Sequence, residues 1–222
     1  GGNTASDTGF IFIDFKQNDD LLVGTNNTDL LLTDAVFRDF SAWMHIVVAF
    51  DTTQSTASDR LKVYVNGVEI TSFSTDNRSS ITQNGDYGAN QAQRHTIGSV
   101  QNYGGNTPEY IDAYLAEVNF IDGQALAPTD FGETDANGVW QAKDTSGLTF
   151  GTNGFRLKFA DNSSNAALGT DSSGNSNTWT VNNILALAPE LATANQGMDV
   201  VTYTGNGGTQ SITGLSFQPD FV

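Results

Sequence analysis

The sequence predicts an all-β protein, and its patterning and composition agree on this. Short segments alternate between apolar and polar side chains, as half-buried strands do. Asn-Gly steps and stretches rich in Gly, Ser and Asn separate these segments and supply turn conformations. Convincing helical periodicity is missing, so many short strands joined by turns indicate a β-sandwich or a barrel.

The clearest element is a hairpin in "RLKVYVNGVEI", residues 60 to 70. Its first strand alternates Leu61, Val63 and Val65 with Lys62, Tyr64 and Asn66. Asn66-Gly67 provides two residues that tolerate positive φ, so residues 68 to 70 are expected to form the return strand.

The segment before the hairpin carries apolar side chains on both faces. In residues 43 to 50, Trp43 and Val47 lie on one face and Ile46 and Phe50 on the other. This pattern predicts a central strand covered on each side. Residues 51 to 60 are rich in Thr and Ser and are expected to form an exposed connection.

Two later segments also alternate. Residues 114 to 120 predict a strand closed by Asp122-Gly123, and residues 155 to 159 predict another, preceded by Asn153-Gly154. Residues 183 to 197 are the best helix candidate, but Pro189 limits them to a short turn or linker.

These patterns suggest four regions. We expect a main β-domain at residues 1–132, an Asn/Gly/Ser-rich β extension packed on it at 133–185, a linker at 186–197 and the start of a further β module at 198–222. The chain opens in a loop-like stretch and stops where an apolar pattern enters a strand. We therefore expect it to be part of a longer polypeptide.

The composition excludes several classes of function. Nine basic residues stand against 25 acidic ones among 222, which gives a formal net charge of −16 and a surface that repels nucleic-acid phosphates. No apolar run approaches the roughly 18 residues that a membrane-spanning helix needs, so membrane insertion is not expected. Cysteine is absent, so disulfides and thiolate metal sites do not contribute.

Two stretches carry a family resemblance. "RDFSAWMHIVVAFDTTQSTASDRLKVYVNGVEI" resembles the strand–loop–strand signature of laminin-G-like, concanavalin-like jelly-roll domains, in which Trp and His precede an apolar strand ending in Asp and "YVNG" follows. "YIDAYLAEVNFIDGQAL" is similar to the closing strand of that fold. The resemblance implies a jelly-roll β-sandwich whose opening strand pair is partly missing.

The remaining segments resemble proteins of tailed bacteriophages, especially marine ones. These segments are "FGETDANGVWQAKDTSGLTFGTNGFRLKFADNSSNAALGTDSSGNSNTWTVNN" and "YTGNGGTQSITGLSFQPDFV". The tandem order implies an extracellular virion protein at a tail fibre, an appendage or the capsid surface. Its expected partners are other virion proteins, further copies of itself (a trimer by analogy with fibres) and a host-surface polysaccharide.

The exposed loops supply candidates for ligand binding. Within residues 74 to 94, Asn84, Asp86 and Tyr87 offer hydrogen-bonding and stacking groups for a glycan. Trp43 can stack on a sugar, but its place before an apolar strand favours a role in the core. His45 and His95 are expected to be structural rather than metal ligands.

One run suggests a calcium site. In "GTDSSGNSN", residues 169 to 177, oxygen-bearing side chains recur at Asp171, Ser173 and Asn175, a spacing that can wrap Ca²⁺. The run lacks the several carboxylates of a tight site, so a solvated turn is the favoured alternative. No other cofactor is implied.

Catalysis is not expected. Retaining glycosidases of this fold need two carboxyl groups about 5 Å apart. Glu117 occupies a suitable predicted strand, but Asn119 stands at the i+2 position where the second acid belongs, and Glu133-x-Asp135 continues into Asn137-Gly138. The sequence therefore predicts a non-enzymatic glycan-binding virion protein, with a capsid decoration or structural spacer as the alternative and a polysaccharide-degrading glycosidase third.

Overall fold

The computed structural model describes residues 10–25, 28–39, 41–91, 93–100 and 109–182. These residues form antiparallel strands with one short α-helix, so the described part of the chain is all-β, as predicted. The strands are β1 (Ile11–Phe15), β2 (Asp20–Thr25), β3 (Thr28–Val36), β4 (Ile46–Phe50), β5 (Leu61–Val65), β6 (Val68–Glu69), β7 (Phe73–Asp76), β8 (Ser99–Val100), β9 (Glu109–Tyr110), β10 (Val118–Phe120), β11 (Gly132–Thr134), β12 (Trp140–Ala142) and β13 (Phe155–Leu157). The helix α1 spans Asn165–Leu168, and single 3₁₀ turns lie at Ala57–Asp59, Arg78–Ser80, Gly88–Asn90 and Pro128–Asp130.

The larger sheet has the strand order β1-β2-β3-β7. β2 is its most buried strand, with Leu21, Leu22 and Val23 each at most 1% exposed. Irregularities in the β2–β3 register let Thr33 turn inward, where its hydroxyl accepts the N–H of Leu21 and donates to the carbonyl of Ala35. A buried hydroxyl is tolerated because both of its hydrogen-bonding roles are used.

The second sheet has the order β4-β5-β6 and contains the predicted hairpin. Asn66 and Gly67 have φ values of 49° and 78°, and Val65 pairs with Val68 across the turn. The Asn66 side chain also accepts the N–H of His45, so the turn residue holds the start of β4. The hairpin prediction is confirmed.

Both sheets contribute side chains to one hydrophobic core. The larger sheet supplies residues of β2 and β3, and the second sheet supplies residues of β5: Leu21, Val23, Leu30, Leu31, Leu61 and Val63 are buried together with Ile81. Arg60 closes this core beside Ile81, because its guanidinium donates to the carbonyls of Gln54, Ser55 and Ile81. The predicted 51–60 connection is therefore largely exposed but ends in a buried cation.

The later segments are joined to the earlier ones by strand pairing. β13 pairs with β10, and Phe155 contacts both Phe120 and Trp179. β11 and β12 form a separate hairpin. The 133–185 region therefore contacts the preceding one in its described part, while the proposed linker at 186–197 and module at 198–222 lie outside the described residues.

Several strand predictions need correction. β4 begins only at Ile46 and pairs only with β5 in the described part of the chain, so it is not the central strand predicted for residues 43 to 50. The predicted strand at 114–120 is reduced to β10, and Tyr114 is 90% exposed. Three paired strands, β1, β2 and β3, lie at the start of the described residues, and the partial loss of a jelly-roll opening pair stays a prediction. Helix α1, which the sequence did not suggest, begins where the Ser164 hydroxyl accepts the N–H of Ala167.

Candidate functional site

An open groove lies at one end of the larger sheet. Four strand ends meet there, because β1 and β3 begin and β2 and β7 end at this edge. The groove has a volume of about 580 Å³. Its lining residues are Phe10, Phe12, Thr25, Thr28, Asp29, Thr75 and Asn77.

One wall of the groove is aromatic. Ile11 packs against the core, so Phe10 and Phe12 at the alternate positions face away from it. Their ring centroids are 5.8 Å apart. Phe12 lies across Gly24 of β2, where a Cβ would come within 2.6 Å of its ring. The absence of a side chain at Gly24 therefore allows the Phe12 ring to lie against the sheet.

The opposite wall is polar. The Asn77 side chain donates to the backbone carbonyl of Asp29 at 2.9 Å, which joins the end of β7 to the start of β3. Beside it, Asp76 and Arg78 form an ion pair of 2.6 Å, and the Arg78 contacts lower the pKa of Asp76. Among the described residues that line the groove, the one charged side chain is that of Asp29.

This combination suits an uncharged polyhydroxylated ligand. Aromatic rings can pack against the apolar faces of sugars, while carboxylate, amide and hydroxyl groups bind sugar hydroxyls. The sequence analysis did not identify the groove residues. The alternation in "FIFIDF" was a usable signal, since it puts Phe10 and Phe12 on one face, but it does not reveal that β7 brings Asn77 beside them.

The predicted ligand residues Asn84, Asp86 and Tyr87 lie together in another loop. Asn84 has a φ of 56° and donates its N–H to the carbonyl of Thr52, and the Thr52 hydroxyl donates to the carbonyl of Gly85. The Asp86 carboxylate accepts from Gln91. These hydrogen bonds hold the loop against residues 51 to 54. Its role in ligand binding remains a prediction.

Tyr87 is engaged on two sides. Its ring packs edge-on against Phe50 with centroids 5.1 Å apart, and its hydroxyl accepts the N–H of Thr82. Tyr87 therefore contributes to packing at the margin of the core, a role that the sequence analysis did not anticipate.

The predicted calcium run forms a tightly bonded turn. Asp171 is only 9% exposed, and its carboxylate accepts four hydrogen bonds: from the N–H groups of Arg156, Ser173 and Asn177 and from the Ser173 hydroxyl. Burial raises the pKa of Asp171, but these bonds together lower it below its ordinary value. Asn175 donates its side-chain N–H groups to the carbonyls of Gly151 and Gly154. Calcium binding at this run, the less favoured of the two sequence predictions, would have to compete with these bonds.

Glu117, a carboxylate considered for catalysis, shares a cation with Asp144. Glu117, in a left-handed conformation with φ of 50°, contacts Arg156 at 3.0 Å, and Asp144 contacts the same guanidinium at 3.0 Å. Asn119 donates to the backbone carbonyl of Glu117 and accepts the Thr145 hydroxyl. One guanidinium therefore contacts both carboxylates.

Trp43 differs from its predicted surroundings, whereas His45 is hydrogen-bonded to another ring. Trp43 is 69% exposed, so the expected role in the core is wrong. It lies just before β4, whose pairing with β5 starts only at Ile46. His45 is half-buried, and its Nδ1 accepts the indole N–H of Trp140 at 3.0 Å. The His95 ring lies 3.0 Å from the carbonyl of Gln91.

Comparisons with known proteins identify no relative: no protein-family model, curated protein or solved structure matches the chain. No group of three or more His, Cys, Asp or Glu residues suited to a metal ion occurs among the described residues. In the same part of the chain, no helix is both long and apolar enough to cross a membrane.

Proposed function

We propose that the chain belongs to a non-enzymatic virion surface protein, a tail fibre or appendage, whose jelly-roll β-sandwich binds host-surface glycan in the groove at the end of the larger sheet. The observation that carries the proposal is the pairing of an aromatic wall, Phe10 and Phe12, with a polar wall that includes Asp29 and Asn77.

The assignment to a concanavalin-like jelly roll and to a phage rests on the sequence resemblance. The architecture is compatible with it, because two antiparallel sheets share one core and the "YVNG" stretch forms a β-turn between β5 and β6. Extracellular β-sandwiches commonly carry binding sites at strand ends and loops.

The charge of the molecule narrows the ligand class. Asp29 is the charged group among the described residues that line the groove, and the chain as a whole carries a formal net charge of −16. An anionic polysaccharide would be repelled at long range. A neutral or amino-sugar glycan is therefore the favoured ligand. A single open groove binds such a ligand weakly, and oligomerisation would compensate through a high effective concentration.

The non-enzymatic part of the proposal is supported by the surroundings of Glu117. Arg156 holds this carboxylate together with that of Asp144. Glycoside hydrolysis requires a free acid and a second carboxylate across an accessible gap. Hydrolysis of a bacterial polysaccharide that disappears in Glu117→Gln would overturn this part.

The binding test uses an array of bacterial surface oligosaccharides with neutral, amino-sugar and anionic members. The native protein is expected to bind a neutral or amino-sugar member, and Asp29→Asn and Asn77→Ala are each expected to weaken it about tenfold, the effect of one lost hydrogen bond. Asp86→Asn is the matched control in the other candidate loop. Loss of binding in Asp86→Asn alone would place the ligand there, and binding no better than that of an unrelated acidic domain would remove the glycan role.

A capsid decoration or structural spacer is the alternative, and the acidic, Gly- and Asn-rich surface is equally suited to it. Electron micrographs of virions labelled with an antibody against this chain distinguish the two. Label at the tail supports the proposal, and label over the capsid shell supports the alternative.

A further inference from the structure

The hairpin of β11 and β12 contacts the β4–β5–β6 sheet through Trp140. The Trp140 ring lies against two glycines, Gly67 in the β5–β6 turn and Gly132 in its own hairpin, and a Cβ at either position would overlap the ring. Its indole Nε1 is 3.0 Å from Nδ1 of His45, and the two ring centroids are 5.9 Å apart. One aromatic ring therefore joins the hairpin to the outer face of the β4–β5–β6 sheet.

The hydrogen bond determines which atom of His45 carries the proton. An indole N–H can only donate, so Nδ1 of His45 must accept. Neutral imidazole then carries its proton on Nε2. If His45 takes up a second proton, Nδ1 also becomes a donor, and two N–H groups face each other with no acceptor between them.

We propose that the His45–Trp140 hydrogen bond is a pH-sensitive latch, which holds the β11–β12 hairpin on the β4–β5–β6 sheet at neutral pH and releases it when the imidazole is protonated. This proposal is independent of glycan binding. The release exposes the Trp140 ring that lies against Gly67.

The surroundings of His45 favour its neutral form. Burial lowers the pKa of His45 below its ordinary value of about 6.5. The titratable groups nearest to His45 on the same face of the sheet are Tyr64 and Glu69. Tyr64 lies in the neighbouring strand β5, and Glu69 pairs with it from β6. On the hairpin, Glu133 pairs with Gln141 on the face opposite Trp140, and the Asp135 carboxylate accepts the N–H groups of Asn137 and Val139. No carboxylate hydrogen bond or ion pair to the imidazole occurs among the described residues to stabilise its charge.

The lowered pKa of His45 sets the sign of the pH dependence of stability. The unfolded chain binds a proton at His45 at a higher pH than the folded chain does, so the contribution to stability is complete above about pH 6.5. It is lost as the pH falls through that value toward the lowered folded pKa. The latch therefore opens in mild acid.

The test follows the three indole N–H signals of the native protein by NMR from about pH 7.5 to about pH 4.5, a range that spans the ordinary imidazole pKa. The Trp140 signal is expected to shift with the same midpoint as the His45 ring, and its hydrogen-exchange protection is expected to fall about tenfold. His95→Gln should leave this titration unchanged. A Trp140 signal that stays constant while His45 titrates would overturn the proposal.

A variant and a second measurement make the result unambiguous. In His45→Gln the side-chain oxygen can still accept the indole N–H but does not titrate, so the Trp140 signal should become independent of pH. A titration that persists in this variant contradicts the latch. The chemical shifts of the His45 ring nitrogens in the native protein identify the tautomer directly, so this test does not depend on the folding of the variant. A neutral tautomer with the proton on Nδ1 would refute the proposal.

Discussion

Arg156 and Glu117 form an ion pair of 3.0 Å that joins β13 to the start of β10, and the guanidinium is almost completely buried while the carboxylate keeps partial contact with solvent. The same guanidinium contacts the more exposed Asp144. Arg156 therefore stabilises the junction between the β-domain and the segment that follows it.

Replacement of this cation is expected to be costly. Arg156→Met leaves Glu117 half-buried without its partner, and we expect a loss of about 2–3 kcal/mol in the free energy of unfolding, below the range for fully buried pairs because both acids reach solvent. Arg38→Met is the matched control, since Arg38 is exposed and pairs with Asp19; its expected cost is under about 1 kcal/mol. Urea unfolding measures both, and equal losses would contradict the structural role of Arg156.

Gly67 is expected to be far more sensitive to substitution than Gly138. Both have φ near 80°, so an alanine side chain strains the backbone similarly, by about 1–2 kcal/mol. Only Gly67→Ala also displaces the Trp140 ring, because nothing lies within 4 Å of a Cβ at Gly138. Thermal unfolding should therefore show a clearly lower melting temperature for Gly67→Ala. Equal melting temperatures would mean that the ring does not occupy this position.

The two tryptophans beside His45 are expected to contribute very differently to stability. Trp43→Ala removes a side chain that is 69% exposed and should change the free energy of unfolding by less than about 0.5 kcal/mol. Trp140→Ala removes the packing on Gly67 and Gly132 and the bond to His45, at a cost of roughly 3 kcal/mol. Urea unfolding curves of the two variants decide this, and a large loss for Trp43→Ala would show that it is covered in solution.

Asp171 is expected to stabilise the protein in a pH-dependent way. Asp171→Asn replaces one accepting oxygen by an amide that faces N–H donors, so we expect a loss of about 2 kcal/mol at neutral pH. Because the folded pKa is lowered, this contribution is complete above about pH 3.9 and is lost as the pH falls through the folded value. The difference between the native and variant unfolding energies should therefore shrink in acid, and a constant difference would contradict the assigned bonds.

The same residue provides the test for calcium. With the carboxylate of Asp171 already accepting four hydrogen bonds, we expect the melting temperature to be equal in chelator and in about 5 mM calcium, a concentration above that needed by weak extracellular sites. A rise in melting temperature with calcium that is lost in Asp171→Ala would establish the metal site at Asp171, Ser173 and Asn175 instead.

Local patterns predicted the fold class and the best-defined turn. The alternation from Leu61 to Val65 and the Asn66-Gly67 step act over a few residues, so both can be identified without knowing what lies opposite. The same reasoning failed at Trp43 and Tyr114. Their place in an apolar pattern does not show that β4 and β10 begin several residues later, opposite the last residues of their antiparallel partner strands.

The candidate site was less predictable than the fold. The groove combines Phe12 of β1 with Asn77 at the end of β7, more than sixty residues apart in the chain. Their proximity depends on β3 pairing with both β2 and β7. The predicted loop of Asn84, Asp86 and Tyr87 was chosen for its composition, which carries no information about the packing of Tyr87 on Phe50.

By itself, the sequence determined that the protein is built from short strands joined by turns and is strongly acidic, because side-chain alternation, turn residues and net charge are properties of the chain alone. Tertiary structure decided which acids are paired with Arg156, which tryptophan is packed and which is exposed, and where a groove opens. The physical reason is that hydrogen bonds, ion pairs and burial depend on distances between residues far apart in the chain, and only the pairing of the sheets sets those distances.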